Sequence, residues 1–292
     1  AALAELSAGP SGDARLGAFA GSLFGPSSVS FERELHTREE NARVDRSVVA
    51  LLRLLSPHFL RAAAHRVLEF LIRRYRICEC NVDAVIECAL PCHDSPLFAR
   101  VVQLLELEGT SWRFLVADSH QSASPLPRSV LAKRCAGDGS LREFIFALAR
   151  HAAEHCGAEP SAAWERHFAF YGATLSEAVG IHAAQVSDGL VRQLLPQLAH
   201  GISCVRVPEY QAASMMVAAQ LCARCTLSGA ATESLLSIVA THMCPGGGAL
   251  RTLACTLAIV ETQPAALDMI PVSVFTPLAR AEGLTLALEQ LS

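Results

Sequence analysis

The stretch Phe59-Leu-Arg-Ala-Ala-Ala-His-Arg-Val-Leu-Glu-Phe-Leu-Ile-Arg-Arg-Tyr-Arg-Ile77 decides the fold class. Leu60, Ala64, Val67, Leu68, Leu71, Ile72 and Tyr75 recur at steps of three and four, which gathers them on one broad face of an α-helix. Arg61, Arg66, Arg73, Arg74 and Arg76 fall mostly off that face, where their stems can lie along the helix while the charges reach water. The same period returns along most of the chain. It predicts helices over 43–56, 59–77, 81–90, 96–107, 140–156, 161–179, 184–199, 209–227, 231–243, 248–261 and 273–291. Pro91, Pro96, Pro125, Pro127, Pro160, Pro208, Pro245 and Pro264 mark the breaks, because a proline in the first helical turn lacks an N–H that would be unpaired there anyway. Trp112-Arg-Phe-Leu-Val116 is the one strand-like run.

Successive helices of this number joined by short loops exceed a four-helix bundle, and no heptad run supports a coiled coil. The expected fold is therefore all-α, a HEAT-like α-solenoid of stacked antiparallel helix pairs in which each pair needs only its neighbours. Self-similarity at a period of roughly 33–47 residues is not visible, which excludes ankyrin and tetratricopeptide consensus arrays but not the more degenerate HEAT pattern. Residues 1–42 are rich in Ala, Gly, Ser and Pro and are expected as a poorly structured N-terminal arm. Residues 43–292 are expected as the solenoid. The chain starts at Ala1 rather than Met, so it is expected to be a piece of a longer protein whose array continues past residue 292.

Composition supports the same class. Hydrophobic residues make up 51% of the 292 and aromatics only 6%, so the apolar mass is small and aliphatic, which suits helix on helix better than a β-sandwich. A net charge of −4 and a pI near 6.3 exclude a broadly basic nucleic-acid coat protein. Eleven cysteines are too sparse for a disulfide-stapled module and are expected as reduced, buried thiols. No basic stretch followed by an apolar run opens the sequence, so no signal peptide is expected. The longest uncharged run, between Glu233 and Arg251, is too short and too broken by Pro245-Gly-Gly-Gly248 to span a membrane.

Few residues suggest chemistry. His151-Ala-Ala-Glu154-His155 fits the H-x-x-E-H pattern of inverted zinc peptidases, with two imidazoles on one helical face, Glu154 as general base and Glu177 as the nearest third ligand. The bland alternative is two histidines flanking a solvated glutamate. Cys78-Glu-Cys80, Cys88, Cys92 and His93 lack the spacing of a zinc module. Cys222-x-x-Cys225 lacks the strand–turn–helix setting of a redox motif. Pro245-Gly-Gly-Gly248 has no Gly-Lys-Ser/Thr ending with which to hold a phosphate. Glu39 with Glu40, and Glu106 with Glu108, suit solvated faces better than an acid–base dyad. No catalytic, cofactor or metal site is expected. Arg73-Arg74-Tyr75-Arg76 is the remaining candidate, either as a contact to RNA phosphate or protein, or as a partner for acidic neighbours such as Glu69 and Glu79.

The run Leu68-Glu-Phe-Leu-Ile-Arg-Arg-Tyr-Arg-Ile77, then Asn81, then Leu90-Pro-Cys-His-Asp-Ser-Pro-Leu-Phe98 resembles one family. Ser56-Pro-His-Phe-Leu60, Phe168-Ala-Phe-Tyr-Gly-Ala-Thr174 and Val207-Pro-Glu-Tyr-Gln-Ala-Ala213 agree with it in order and spacing. Over roughly residues 31–225 the chain is similar to the N-terminal region of the large HEAT-repeat family of the UtpA (t-UTP) subcomplex of the small-subunit processome, associated with the U-three small nucleolar RNA. Cys80 and Cys92 stand where that family usually carries tyrosine. The segment from Leu23 to Arg43 is shorter than in the family, and past residue 225 the likeness fades. The resemblance implies a non-catalytic nucleolar scaffold of ribosome biogenesis acting in 18S rRNA maturation. Its implied partners are other UtpA subunits, including β-propeller proteins, the 5′ external transcribed spacer of pre-rRNA and the U-three small nucleolar RNP. A generic HEAT-like adaptor unrelated to ribosomes, or a zinc hydrolase at His151–His155, are the alternatives.

Overall fold

The computed structural model describes residues 1–8, 12–120, 123–156, 162–181, 187–243, 248–264, 269–281 and 283–291. Among these residues the chain is all-α. Its helices are α1 (Ala2–Ser7), α2 (Arg38–Leu55), α3 (Ala62–Tyr75), α4 (Ile77–Cys80), α5 (Val82–Ala89), α6 (Pro96–Val102), α7 (Arg128–Gly137) and α8 (Gly139–His155). They continue with α9 (Ala162–Ile181), α10 (Asp188–Ser203), α11 (Pro208–Cys222), α12 (Gly229–Thr241), α13 (Gly248–Thr262), α14 (Val272–Ala279) and α15 (Leu284–Leu291). The helix starts expected at Pro160 and at Pro245 to Gly247 lie outside the described residues.

The described residues form two compact units, one of residues 1–130 with 162–166, the other of 131–161 with 167–292. The sequence had suggested one array from residue 43. In the first unit α2 packs on α5, and α1 packs on α3. Ser56 at the end of α2 donates to the Cys88 carbonyl at 2.7 Å, and Arg53 pairs with Glu87 at 3.0 Å. In the second unit α10 packs on α11, α11 on α13, and α12 and α15 also lie on α13. Neighbour-on-neighbour packing of this kind, with short connections, is that of a HEAT-type α-solenoid.

Three expectations need correction. The run from Trp112 is turn as far as Phe114 and then enters, at Leu115, a π-helical turn over Val116–His120 rather than a strand. Trp112 is buried, and its indole N–H donates to Asp83 at 2.7 Å, so the aromatic cluster marks a packed corner. The helix expected from 43 begins at Arg38, because Thr37 and Glu40 form a capping box in which each side chain accepts the other's backbone N–H. The helix expected over 273–291 is two helices, with Gly283 at φ 81° between them.

Residues 1–42 also differ from a poorly structured arm. They carry α1 and 3-10 turns at Ala14–Phe19, Pro26–Ser30 and Arg33–Leu35, with Leu3, Leu6, Leu16 and Leu23 buried. The phenol of Tyr75, itself buried, donates to the Leu23 carbonyl at 2.7 Å. Arg33 donates to the Tyr75 carbonyl at 2.8 Å and pairs with Asp45 at 2.6 Å. The links from Tyr75 to Leu23 and from Arg33 to Tyr75 span 52 and 42 residues, so local composition carries no trace of them.

Candidate interaction surface

The expected contact residues lie where α3 ends. Arg76 takes a left-handed conformation, φ 50° and ψ 45°, and its N–H closes α3 on the Ile72 carbonyl at 3.1 Å. A left-handed residue just past a helix is a common stop signal, normally glycine. The Arg76 guanidinium then pairs with Glu79 and, at 2.7 Å, with Glu34. Arg73 pairs with Glu69 one turn earlier at 2.6 Å, both side chains being largely exposed. Arg74 donates to the Phe31 carbonyl at 3.2 Å. Arg66, a turn further back, pairs with Glu5. The arginine row therefore holds the N-terminal segment against α3 at Glu5, Phe31 and Glu34, and its charge is partly matched by carboxylates. Exposed pairs of this kind each contribute little to stability.

Beside this row is a groove of about 470 Å³ between α3 and α6. Phe59, Leu68, Ile72, Leu97 and Val101 form its floor, and His65, Glu69, Arg73, Arg100 and Leu104 line it as well. Leu104 is 56% exposed. Arg100 is exposed and has no ion pair among the described residues. Sequence reading missed Arg100 and Leu104, although Leu97, Val101 and Leu104 already show a helical spacing.

The alternative chemical sites do not assemble. His155 Nδ1 donates to the His151 carbonyl at 2.8 Å, which ties that ring back along its own helix, and Glu154 is exposed on α8. No group of three His, Cys, Asp or Glu side chains among the described residues is placed to hold a metal ion. His93 Nδ1 donates to the Leu126 carbonyl at 2.6 Å, and the Leu126 N–H returns a bond to His93 at 2.8 Å. Burial raises the Cys78 and Cys92 thiols to about 11 and the Cys222 thiol to about 12, and it raises Cys88 and Cys225 as well. A protonated, buried thiol is a poor nucleophile and a poor metal ligand. Glu39 and Glu40 lie in the first turn of α2, and Gly248 opens α13 as a buried residue.

Two of the family-like motifs meet in the second unit. Tyr171 on α9 and Tyr210 on α11 pack with ring centroids 5.5 Å apart, and Phe168 lies 5.8 Å from Tyr210. The Tyr171 hydroxyl and Ser214 Oγ are hydrogen-bonded at 3.1 Å, and Ser214 donates to the Tyr210 carbonyl at 2.9 Å. Gln211 on α11 is buried and donates to the Ile202 carbonyl at 2.7 Å and to the His242 carbonyl. These motif residues join helices. No helix among the described residues is long and apolar enough to cross a membrane.

Residues 190–292 match the family model described as U3 small nucleolar RNA-associated protein 10. The match covers the region where likeness by motif had faded. HEAT repeat-containing protein 1 of Homo sapiens is 29% identical over 249 residues, covering 84% of this chain and 12% of that protein. An uncharacterized protein of Arabidopsis thaliana is 32% identical over 223 residues, 74% of this chain and 10% of its own length. U3 small nucleolar RNA-associated protein 10 of Yarrowia lipolytica is 24% identical over 271 residues, 92% of this chain and 16% of that protein. The chain thus spans about a tenth to a sixth of the length of these relatives.

Proposed function

The chain belongs to the U3 small nucleolar RNA-associated protein 10 family, and from that premise we propose that it serves ribosome biogenesis as a non-catalytic scaffold segment of the small-subunit processome. Its work in this reading is to organise UtpA proteins, β-propeller subunits among them, on nascent pre-rRNA in the nucleolus during 18S rRNA maturation. The observation that carries the reading is one family likeness seen in two ways. The family model takes residues 190–292, and relatives named for the HEAT repeat or for the U3 small nucleolar RNA align over most of the chain.

The physical features agree with binding rather than turnover. His155 and His93 are tied to backbone carbonyls and Cys222 is buried as a neutral thiol, while α3 and α6 present charge and an apolar groove outward. A stack of helix pairs offers extended surface at little cost, since each pair is stabilised by its neighbours. In this reading Arg74 and Arg76 first hold the N-terminal segment, and Arg73, paired along its own helix with Glu69, stays exposed for a protein partner.

The test is immunoprecipitation of the tagged full-length protein from its own cells, followed by quantitation of the recovered RNA. The U-three small nucleolar RNA and the 5′ external transcribed spacer are expected well above a mock control in mild salt. Recovery at control level would overturn the processome reading and favour a general adaptor.

A further inference from the structure

We infer that the groove between α3 and α6 is a docking site for an amphipathic helix of a partner protein, flanked by acidic residues. The inference rests on the scaffold reading and names the kind of partner this surface takes. The groove holds about 470 Å³, within the roughly 300–1,000 Å³ range of clefts that bury a ligand. Its walls are two helices whose apolar residues repeat at helical spacing. Leu68 and Ile72 stand one turn apart on α3, and Leu97, Val101 and Leu104 follow one another along and just past α6. A third helix laid in such a groove meets these rows with its own apolar residues at i, i+3 or i+4, and i+7. Leu104 already stands out into solvent, 56% exposed, in the place such a residue would cover.

Charge selects the flanks of that helix. The lining of the groove itself carries Arg73 and Arg100 against Glu69, which pairs with Arg73. It is locally positive on a chain whose net charge is −4. Arg100 in that lining has no carboxylate of its own among the described residues. Aspartate or glutamate beside the apolar anchors would supply the missing partner and steer encounter. A single-stranded RNA fits less well, because it needs exposed rings on which bases can stack. Phe59 on the groove floor is 1% exposed, and Phe70 beside the arginines is stacked on Phe24 at 4.8 Å.

The experiment places a benzophenone amino acid at Leu104 of the full-length protein in its own cells, with Arg251, exposed on α13, as the control position. Leu104 is exposed enough to accept the probe without disturbing the fold. After irradiation the expected adduct is protein, mapping to one segment with apolar residues at helical spacing and acidic flanks. Adding Arg100→Glu is expected to lower its yield about fivefold, the effect of losing one charge pair. The inference is overturned by a yield no higher than at Arg251, by RNA as the main adduct, by a segment lacking acidic flanks, or by indifference to Arg100→Glu. Co-purified U-three small nucleolar RNA is measured in the same cells. RNA enrichment without the adduct removes the groove and leaves the scaffold reading standing. The adduct without RNA enrichment keeps the groove and removes the processome reading, and loss of both removes both.

Discussion

Replacing Gly201 by alanine puts a methyl group where α10 and α11 touch. A Cβ there would lie 2.0 Å from Ser214 Oγ, 2.8 Å from Ser214 Cβ and 3.2 Å from Tyr210 Cζ. Ser214 cannot simply turn away, because its hydroxyl bonds the Tyr210 carbonyl and the buried Tyr171 hydroxyl. Either the helices part, at about 1–3 kcal/mol for an overpacked core, or Tyr171 loses its partner, at about 1–3 kcal/mol for a buried group left unpaired. Both effects act together in part, and the better helix propensity of alanine returns about 1 kcal/mol. The net expectation is a loss of about 3 kcal/mol, or about 6–12 °C in melting temperature for a unit of this size. Thermal melts followed by far-ultraviolet circular dichroism read it directly. Ser214→Gly clears both close atoms, so it should cost less in the Gly201→Ala background than alone, with a coupling of about 1–2 kcal/mol. A melting temperature that stays level or rises in Gly201→Ala would refute the tight contact.

Three further outcomes are expected. Gln263 is fully buried; its amide donates to the Cys222 and Cys225 carbonyls at 2.7 and 2.8 Å and accepts from the Leu227 N–H at 2.8 Å. Gln263→Leu should therefore cost about 2–4 kcal/mol in urea unfolding, since polar groups stay buried without partners, and a shift under about 0.5 kcal/mol would refute the clamp. Burial raises the Cys135, Cys222 and Cys255 thiols from 9.0 to about 12, so above pH 9 the unfolded chain releases protons that the folded chain keeps. Stability should be fully present below pH 9 and fall as pH rises beyond it, with Cys135→Ala flattening the slope, whereas equal melting temperatures at pH 8 and 10.5 would contradict this. Tyr75→Phe removes the buried bond to the Leu23 carbonyl and should cost about 1 kcal/mol. Limited proteolysis should then speed up within residues 12–35 more than elsewhere; equal rates throughout would show that this bond does not hold the segment.

Much of the fold was legible where apolar residues keep one period over several turns. α3, α5, α8, α9, α11 and α13 lie close to their expected places because Val67, Leu68, Leu71 and their counterparts must all turn to one side to leave water. α7 was not foreseen. Its buried residues are only Leu131, Ala132 and Cys135, mixed with Lys133 and Arg134, so no clear stripe marks it. The true start of α2 was written in Thr37 and Glu40, a capping signal that a periodicity reading passes over. The arginine row was seen as a candidate contact, but its engagement with Glu5, Phe31 and Glu34 was not, since nothing local says which distant carboxylate or carbonyl a guanidinium meets.

The chain by itself determined its helical class and its family likeness, for these follow from local spacing and from motifs read in order, whereas the expectation of buried thiols misses Cys80, which is exposed. Only the tertiary structure decided that α1, Leu23 and Phe31 pack on α3, that H-x-x-E-H turns one imidazole onto its own backbone, and that α3 and α6 leave a groove lined by Arg73 and Arg100. The physical reason is the range of the forces involved. Hydrophobic period acts within a few turns and is printed in the order of residues, whereas ion pairs, caps on distant carbonyls and close helix contacts such as Gly201 on Ser214 depend on where remote segments come to rest.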